Sequence, residues 1–140
     1  MSLNNKFLAN SPIAPSRILS TGNAATPKEF KRIIPEVSPA TALHRLREGA
    51  LLVDVRNSAE IESAAYDVPD IVVLPLPEFE DRYAELPPDR ELIIACRGGV
   101  RSARATNFLL GKGYERVSNL AGGILRWFAE GLPTTGNPNH

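Results

Sequence analysis

The 140 residues set 16 Lys and Arg against 16 Asp and Glu, which excludes global electrostatic steering toward nucleic acid or an anionic membrane and confines anion binding to some local feature. That length supports one ordinary domain with a real core and is too short for two of typical size. A single cysteine excludes an intramolecular disulfide and leaves a free thiol, as suits a reducing, cytoplasmic compartment.

Met1 to about Arg32 lacks the continuous apolar stretch of a signal peptide or membrane span and is rich in Asn, Ser, Pro and Ala. Residues 1–35 are therefore expected as an irregular arm, without chemistry of its own, on a soluble protein. Ser38-Pro39 opens a helix with a hydroxyl cap and a proline at the first helical position, where its missing N–H costs nothing. Leu43 and Leu46 give that helix an apolar stripe, and Gly49 follows its last turn. Leu51-Leu52-Val53-Asp54-Val55 is an apolar run without strict alternation, the pattern of a strand covered on both faces in a parallel sheet. Ile71-Val72-Val73-Leu74 is a second such run, closed by Pro75 and Pro77, and Glu78 to Leu86 is predicted as a short helix before Pro87-Pro88.

The third run is Leu92-Ile93-Ile94-Ala95. Beyond a loop at Cys96, Ser102 to Leu110 carries Ala103, Thr106, Leu109 and Leu110 at helical spacing, with Gly111 and Gly113 as stops. Val117 to Leu120 forms a fourth short strand. After Gly122-Gly123, the residues Ile124, Trp127 and Phe128 mark one side of a last helix that Gly131 ends. Thr134 to His140, aperiodic and containing Gly136 and Pro138, is expected as a frayed tail. Buried strands alternating with helices predict an α/β fold with a parallel sheet, in which chemistry collects where strand C-termini meet helix N-termini.

Cys96 falls at such a place. A lone cysteine is more often a buried small hydrophobe, but Cys96-Arg97-Gly98-Gly99-Val100-Arg101-Ser102 puts this one between a buried strand and a helix, where free backbone N–H groups converge into an anion nest. Gly98 and Gly99 let the loop curl around the sulfur, and the helix N-terminus with the guanidinium groups of Arg97 and Arg101 favours thiolate over thiol. Arg104 is as readily surface charge as part of this site. An electron-rich sulfur in a cationic cradle suits attack on the outer sulfur of a small anionic donor such as thiosulfate, with the arginines and amides stabilising the departing sulfite. A thiophilic acceptor, whether cyanide, a thiol or an acceptor protein, then removes the sulfur, and with no second cysteine this transfer is intermolecular. No organic cofactor or metal is required, and His44 and His140 suggest neither a ligand set nor a Cys-His pair.

On these residues the chain resembles the single-domain rhodanese-like sulfurtransferases, over roughly Val37 to Pro133. The resemblance rests on Ser38-Pro39 with Leu43, on Asp54-Val55-Arg56 with Glu60, on the loop Cys96 to Ser102, and on Leu120-Ala121-Gly122-Gly123-Ile124 with Trp127, Gly131 and Pro133. It implies a five-stranded parallel sheet flanked by helices over residues 36–133, with a first short strand near Glu36-Val37 and residues 134–140 as a flexible tail. It also implies a persulfide on Cys96 cradled by the amides of Arg97 to Arg101, with Asp54, Arg56 and Glu60 as structural support. The chain departs from the family at Ala64 to Asp70, where the family commonly has a His-Ile-Pro-Gly-Ala segment. The turn before Ile71 is therefore expected to be built differently, and Asp67 or Asp70 to influence which acceptor approaches. Two other readings use the same loop. One is a persulfide carrier or regulatory module, and the other a cysteine-dependent phosphatase or arsenate reductase, whose loop is one residue longer than the four that separate Cys96 from Arg101.

Overall fold

The computed structural model describes residues 33–139, so the arm expected over residues 1–35 falls almost wholly outside that range, as does His140. From Glu36 the elements are β1 (Glu36–Val37), α1 (Pro39–Arg47), β2 (Leu51–Asp54), α2 (Ser58–Ser63), β3 (Ala64–Tyr66), β4 (Ile71–Val73), α3 (Leu76–Arg82) running into a 3-10 turn at Tyr83–Glu85, β5 (Leu92–Ala95), α4 (Val100–Gly111), β6 (Val117–Leu120), α5 (Gly123–Ala129) and β7 (Thr134–Gly136). Five strands form a parallel sheet in the order β1-β6-β5-β2-β4. β5 is central, so the chain leaves its C-terminal end at Cys96 in the middle of the row of strand C-terminal ends.

Side chains of a strand alternate between faces, and the apolar runs here supply both. Leu52 and Ile93 pack with Leu43, Leu46, Leu120, Ile124 and Trp127, while Leu51, Val53, Leu92 and Ile94 pack with Phe79, Leu109 and Tyr114. The sheet thus has helices α1 and α5 on one face and α3 and α4 on the other, which is why β2 and β5 show no polar alternation. At the start of α1, the Ser38 side chain accepts the Thr41 N–H, with Pro39 in the first turn.

Three segments differ from the sequence expectation. Ile71-Val72-Val73 pairs only with β2 and forms an edge, leaving the three residues 36, 38 and 44% exposed, so its apolar character reflects strand propensity more than burial. The helix expected over Glu78 to Leu86 begins at Leu76 and changes to the 3-10 turn after Arg82. Thr134–Gly136, expected within an aperiodic tail, pairs antiparallel with Ala64–Tyr66. A two-stranded ladder of this length carries no hydrophobic period, because it is specified by pairing with a partner some 70 positions away, where the Ala65 N–H also donates to Thr135 Oγ1. That pairing also accounts for the unusual Ala64 to Asp70 segment, which forms β3 and then turns with the Asp67 N–H donating to the Pro133 carbonyl. Among the described residues no helix is long and apolar enough to cross a membrane.

Candidate active site

Cys96 is 1% exposed at the mouth of β5. The loop after it closes on its sulfur: the Gly99 N–H donates to Sγ at 3.1 Å, the Ser102 N–H at 3.4 Å, and Ser102 Oγ lies 3.2 Å away. Gly99 makes the curl possible at φ +100°, a backbone that L side chains rarely adopt, and an added Cβ there would press on the Gly122 nitrogen at 3.2 Å. Burial pushes the Cys96 thiol up, but the Ser102 hydroxyl and the N–H groups of Ser102, Gly99 and Gly98 outweigh it, so the thiol ionises below its ordinary value. The thiolate is thus held chiefly by loop dipoles, at the start of the 12-residue helix α4.

The loop is fixed from behind by its own carbonyls. The Cys96 carbonyl accepts the Ile124 N–H at 3.0 Å and the Tyr66 hydroxyl at 2.8 Å, and the Arg97 carbonyl accepts the Leu125 N–H at 3.1 Å. The Gly99 carbonyl accepts Asn119 Nδ2 at 3.1 Å. Each of these bonds turns a carbonyl outward, leaving amides to face the sulfur. Tyr66 and Asn119 escaped the sequence reading. Asn119 carries a signal in hindsight, as an amide in a strand otherwise buried, whereas Tyr66 lies in the segment where the family resemblance fails.

The arginines separate into different tasks. Arg101 donates through Nη1 and Nη2 to the two carboxylate oxygens of Glu60, at 2.8 and 2.7 Å. That pairing holds Glu60 down to about 2 and raises Arg101 further, with the Cys96 charge adding to the effect on Arg101. Arg101 is therefore a fixed cation within electrostatic reach of the sulfur. Arg97 donates Nη1 to the Pro138 carbonyl at 2.7 Å. Val100 projects from the loop, 73% exposed, and Arg104 is exposed on α4.

Asp54 and Arg56 lie below the loop, buried together: Nε and Nη2 of Arg56 reach the Asp54 carboxylate at 2.9 to 3.2 Å, Nη1 reaches the Glu60 carbonyl at 3.4 Å, and the guanidinium sits 5.3 Å from the centre of the Tyr66 ring. Glu60 also caps α2 in a reciprocal box, accepting the Asn57 N–H while the Asn57 side chain accepts the Glu60 N–H. This Asn-Ser-Ala-Glu signature was legible in the sequence and went unread. Asp70 lies at the opposite end of the sheet from Cys96, before β4, paired with Arg90. Among the described residues no group of three or more His, Cys, Asp or Glu could hold a metal.

The family described as "Rhodanese-like domain" matches residues 38–130. A protein named a sulfurtransferase from Allochromatium vinosum is 41% identical over 103 residues, covering 72% of this chain and 94% of its own. A tRNA uridine(34) hydroxylase from Nitrobacter hamburgensis is 39% identical over 87 residues, covering 59% of this chain and only 34% of its own. The solution structure of a polysulfide-sulfur transferase homodimer from Wolinella succinogenes superposes with a TM-score of 0.67 at 28% identity, covering 76% of this chain and 82% of that one.

Proposed function

The chain belongs to the rhodanese-like domain family, and from that premise we propose that it moves a sulfane sulfur from thiosulfate, or a related small anionic donor, to a thiophilic acceptor through a persulfide on Cys96. The observation that carries this reading is the thiolate nest, with two backbone N–H groups and the Ser102 hydroxyl converging on one sulfur. The Cys96 thiolate attacks the outer sulfur of thiosulfate, a Sγ–S bond forms as the donor's S–S bond breaks, and sulfite leaves with the electron pair. Negative charge spreads from Sγ toward the leaving group in that step; the loop amides face it, and the Glu60-paired Arg101 adds a fixed positive charge within electrostatic reach. The enlarged nest then holds the persulfide until a thiol, cyanide or acceptor protein takes the outer sulfur and regenerates the thiolate.

The loop also favours this chemistry over phosphate ester hydrolysis. Four residues separate Cys96 from Arg101, and Arg101 is held sideways by Glu60. A tetrahedral phosphate needs a wider ring of donors with the arginine free to grip two of its oxygens. A chemistry that relies on a free thiolate belongs in a reducing cytoplasm.

Intact mass spectrometry tests the proposal directly. Freshly reduced protein treated with thiosulfate should gain about 32 Da, one sulfur atom, and cyanide should remove it. Cys96→Ser should fold and gain nothing. Unmodified parent protein after thiosulfate treatment would refute the mechanism.

A further inference from the structure

The segment 134–139 lies beyond the residues matched to the family, yet it is built into the site. β7 lies on β3 with Ala64 opposite Gly136 and Tyr66 opposite Thr134. Gly136 has φ +77° and packs so closely on the Ser63 carbonyl that any Cβ would collide with it. Beyond that turn Pro138 is buried, and its carbonyl accepts Arg97 Nη1. This strap closes one side of a cavity of about 270 Å³ lined by Arg56, Glu60, Ser63, Arg97 and Pro138.

The charged groups of that cavity are unequally committed. Arg56 spends Nε and Nη2 on Asp54 and Nη1 on the Glu60 carbonyl, and both Glu60 oxygens are taken by Arg101. Arg97 gives one hydrogen bond among the described residues, to Pro138, which leaves most of its five N–H donors for a ligand. Ser63 Oγ, on the same wall, donates to the Ala59 carbonyl. The cavity is at the small end of ligand pockets, suited to a small molecule more than to a protein segment. Glu60 of the same cavity wall pairs with Arg101, the cation within electrostatic reach of Cys96, so an anion held by Arg97 lies on the flank of the Cys96 loop, outside the amide nest that holds the sulfur itself.

We infer that the strap formed by Thr134–Asn139 makes this cavity an acceptor subsite, in which Arg97, positioned by the Pro138 carbonyl, receives the carboxylate of a small thiol. This rests on the persulfide reading and adds the class of acceptor to it. The thiolate of the bound acceptor attacks the outer sulfur of the Cys96 persulfide, a new S–S bond forms as the Sγ–S bond breaks, and the electron pair returns to Sγ in its nest. The acceptor leaves as a persulfide anion, the transferred sulfur keeping the negative charge it carried on Cys96, and no proton need move in the step.

The test charges the protein with thiosulfate, removes the excess donor, and follows loss of the added sulfur mass on mixing with 3-mercaptopropionate or with 2-mercaptoethanol, compared at equal thiolate concentration. The parent should discharge about tenfold faster to the carboxylate thiol, the discrimination expected of one charge-assisted contact. Two variants remove the strap differently: Gly136→Val drives it off the Ser63 carbonyl, and a chain ending at Gly136 lacks Pro138 while keeping β7. Both should bring the two rates to within about threefold of each other. Equal rates in the parent, or a preference that survives in both variants, would overturn the inference while leaving the persulfide mechanism standing. A parent that takes up no sulfur from thiosulfate would overturn both.

Discussion

Among the described residues, Ser102 Oγ is the one side-chain group in hydrogen-bonding distance of Cys96 Sγ, 3.2 Å away, and among the groups that favour the thiolate it is the largest opponent of burial. A hydrogen bond to a charged group is worth about 1.5–3 kcal/mol, which corresponds to roughly one to two pH units in a titration midpoint. Ser102→Ala should therefore move the pH midpoint of Cys96 alkylation by iodoacetamide upward by about that amount, and lower the rate at neutral pH. The direction follows from the charge: losing a donor to the thiolate weakens only the ionised form. An unchanged midpoint would assign the effect to the backbone amides alone. Arg97 and Arg101 were expected from sequence to act together on the sulfur, and the structure divides them, because one guanidinium finds a carboxylate and the other a main-chain carbonyl. Sequence spacing places side chains along the chain but is silent about which partner each will meet.

At the scale of elements, the loop from Cys96 to Ser102 keeps its shape because α5 begins directly beneath it. Gly123 has φ +60°, and a Cβ there would collide with the Arg97 carbonyl and come within 2.7 Å of the Cys96 carbonyl. Both carbonyls accept N–H groups from the first turn of α5, so the clash would fall on the bonds that orient the nest. Gly123→Ala should cost about 1–3 kcal/mol, the scale of a strained backbone position, and should also slow sulfur uptake from thiosulfate. Thermal melting reads the first effect and the rate of mass gain the second. A variant that melted earlier but charged at the parent rate would separate the α5 contact from the site. The Gly122-Gly123 pair was readable in the sequence as a helix start, but its contact with the Cys96 loop was not, because it joins segments more than twenty residues apart.

For the whole molecule, the charges under the site link stability to pH. The Arg101 guanidinium holds Glu60 at about 2 in the fold, against about 4.3 for an unfolded chain. A depressed carboxyl contributes stability that is complete above its unfolded value and is lost as pH falls toward its folded one. The window is therefore from about pH 5 down to about pH 2, and the loss is of order 2 kcal/mol for a side chain about a quarter exposed. Glu60→Gln should unfold more easily in urea at pH 7 and show a shallower decline on acidification. An acid limb as steep as the parent's would place the titrating group elsewhere. The α/β class, the sheet strands β2, β5 and β6 and the place of Cys96 between a buried strand and a helix were determined by the sequence alone, because buried strands, caps and glycine-rich turns are local patterns of side-chain type. The tertiary structure decided the rest: that Ile71–Val73 lies at an edge, that Thr134–Gly136 pairs with Ala64–Tyr66, that Tyr66 and Asn119 turn the loop's carbonyls outward, and that Arg97 reaches Pro138. Each of these contacts joins segments distant in sequence, and in the hydrogen-bonded ones at least one partner is a main-chain group that every residue carries, proline's missing donor aside, so the side-chain pattern does not record which segments meet.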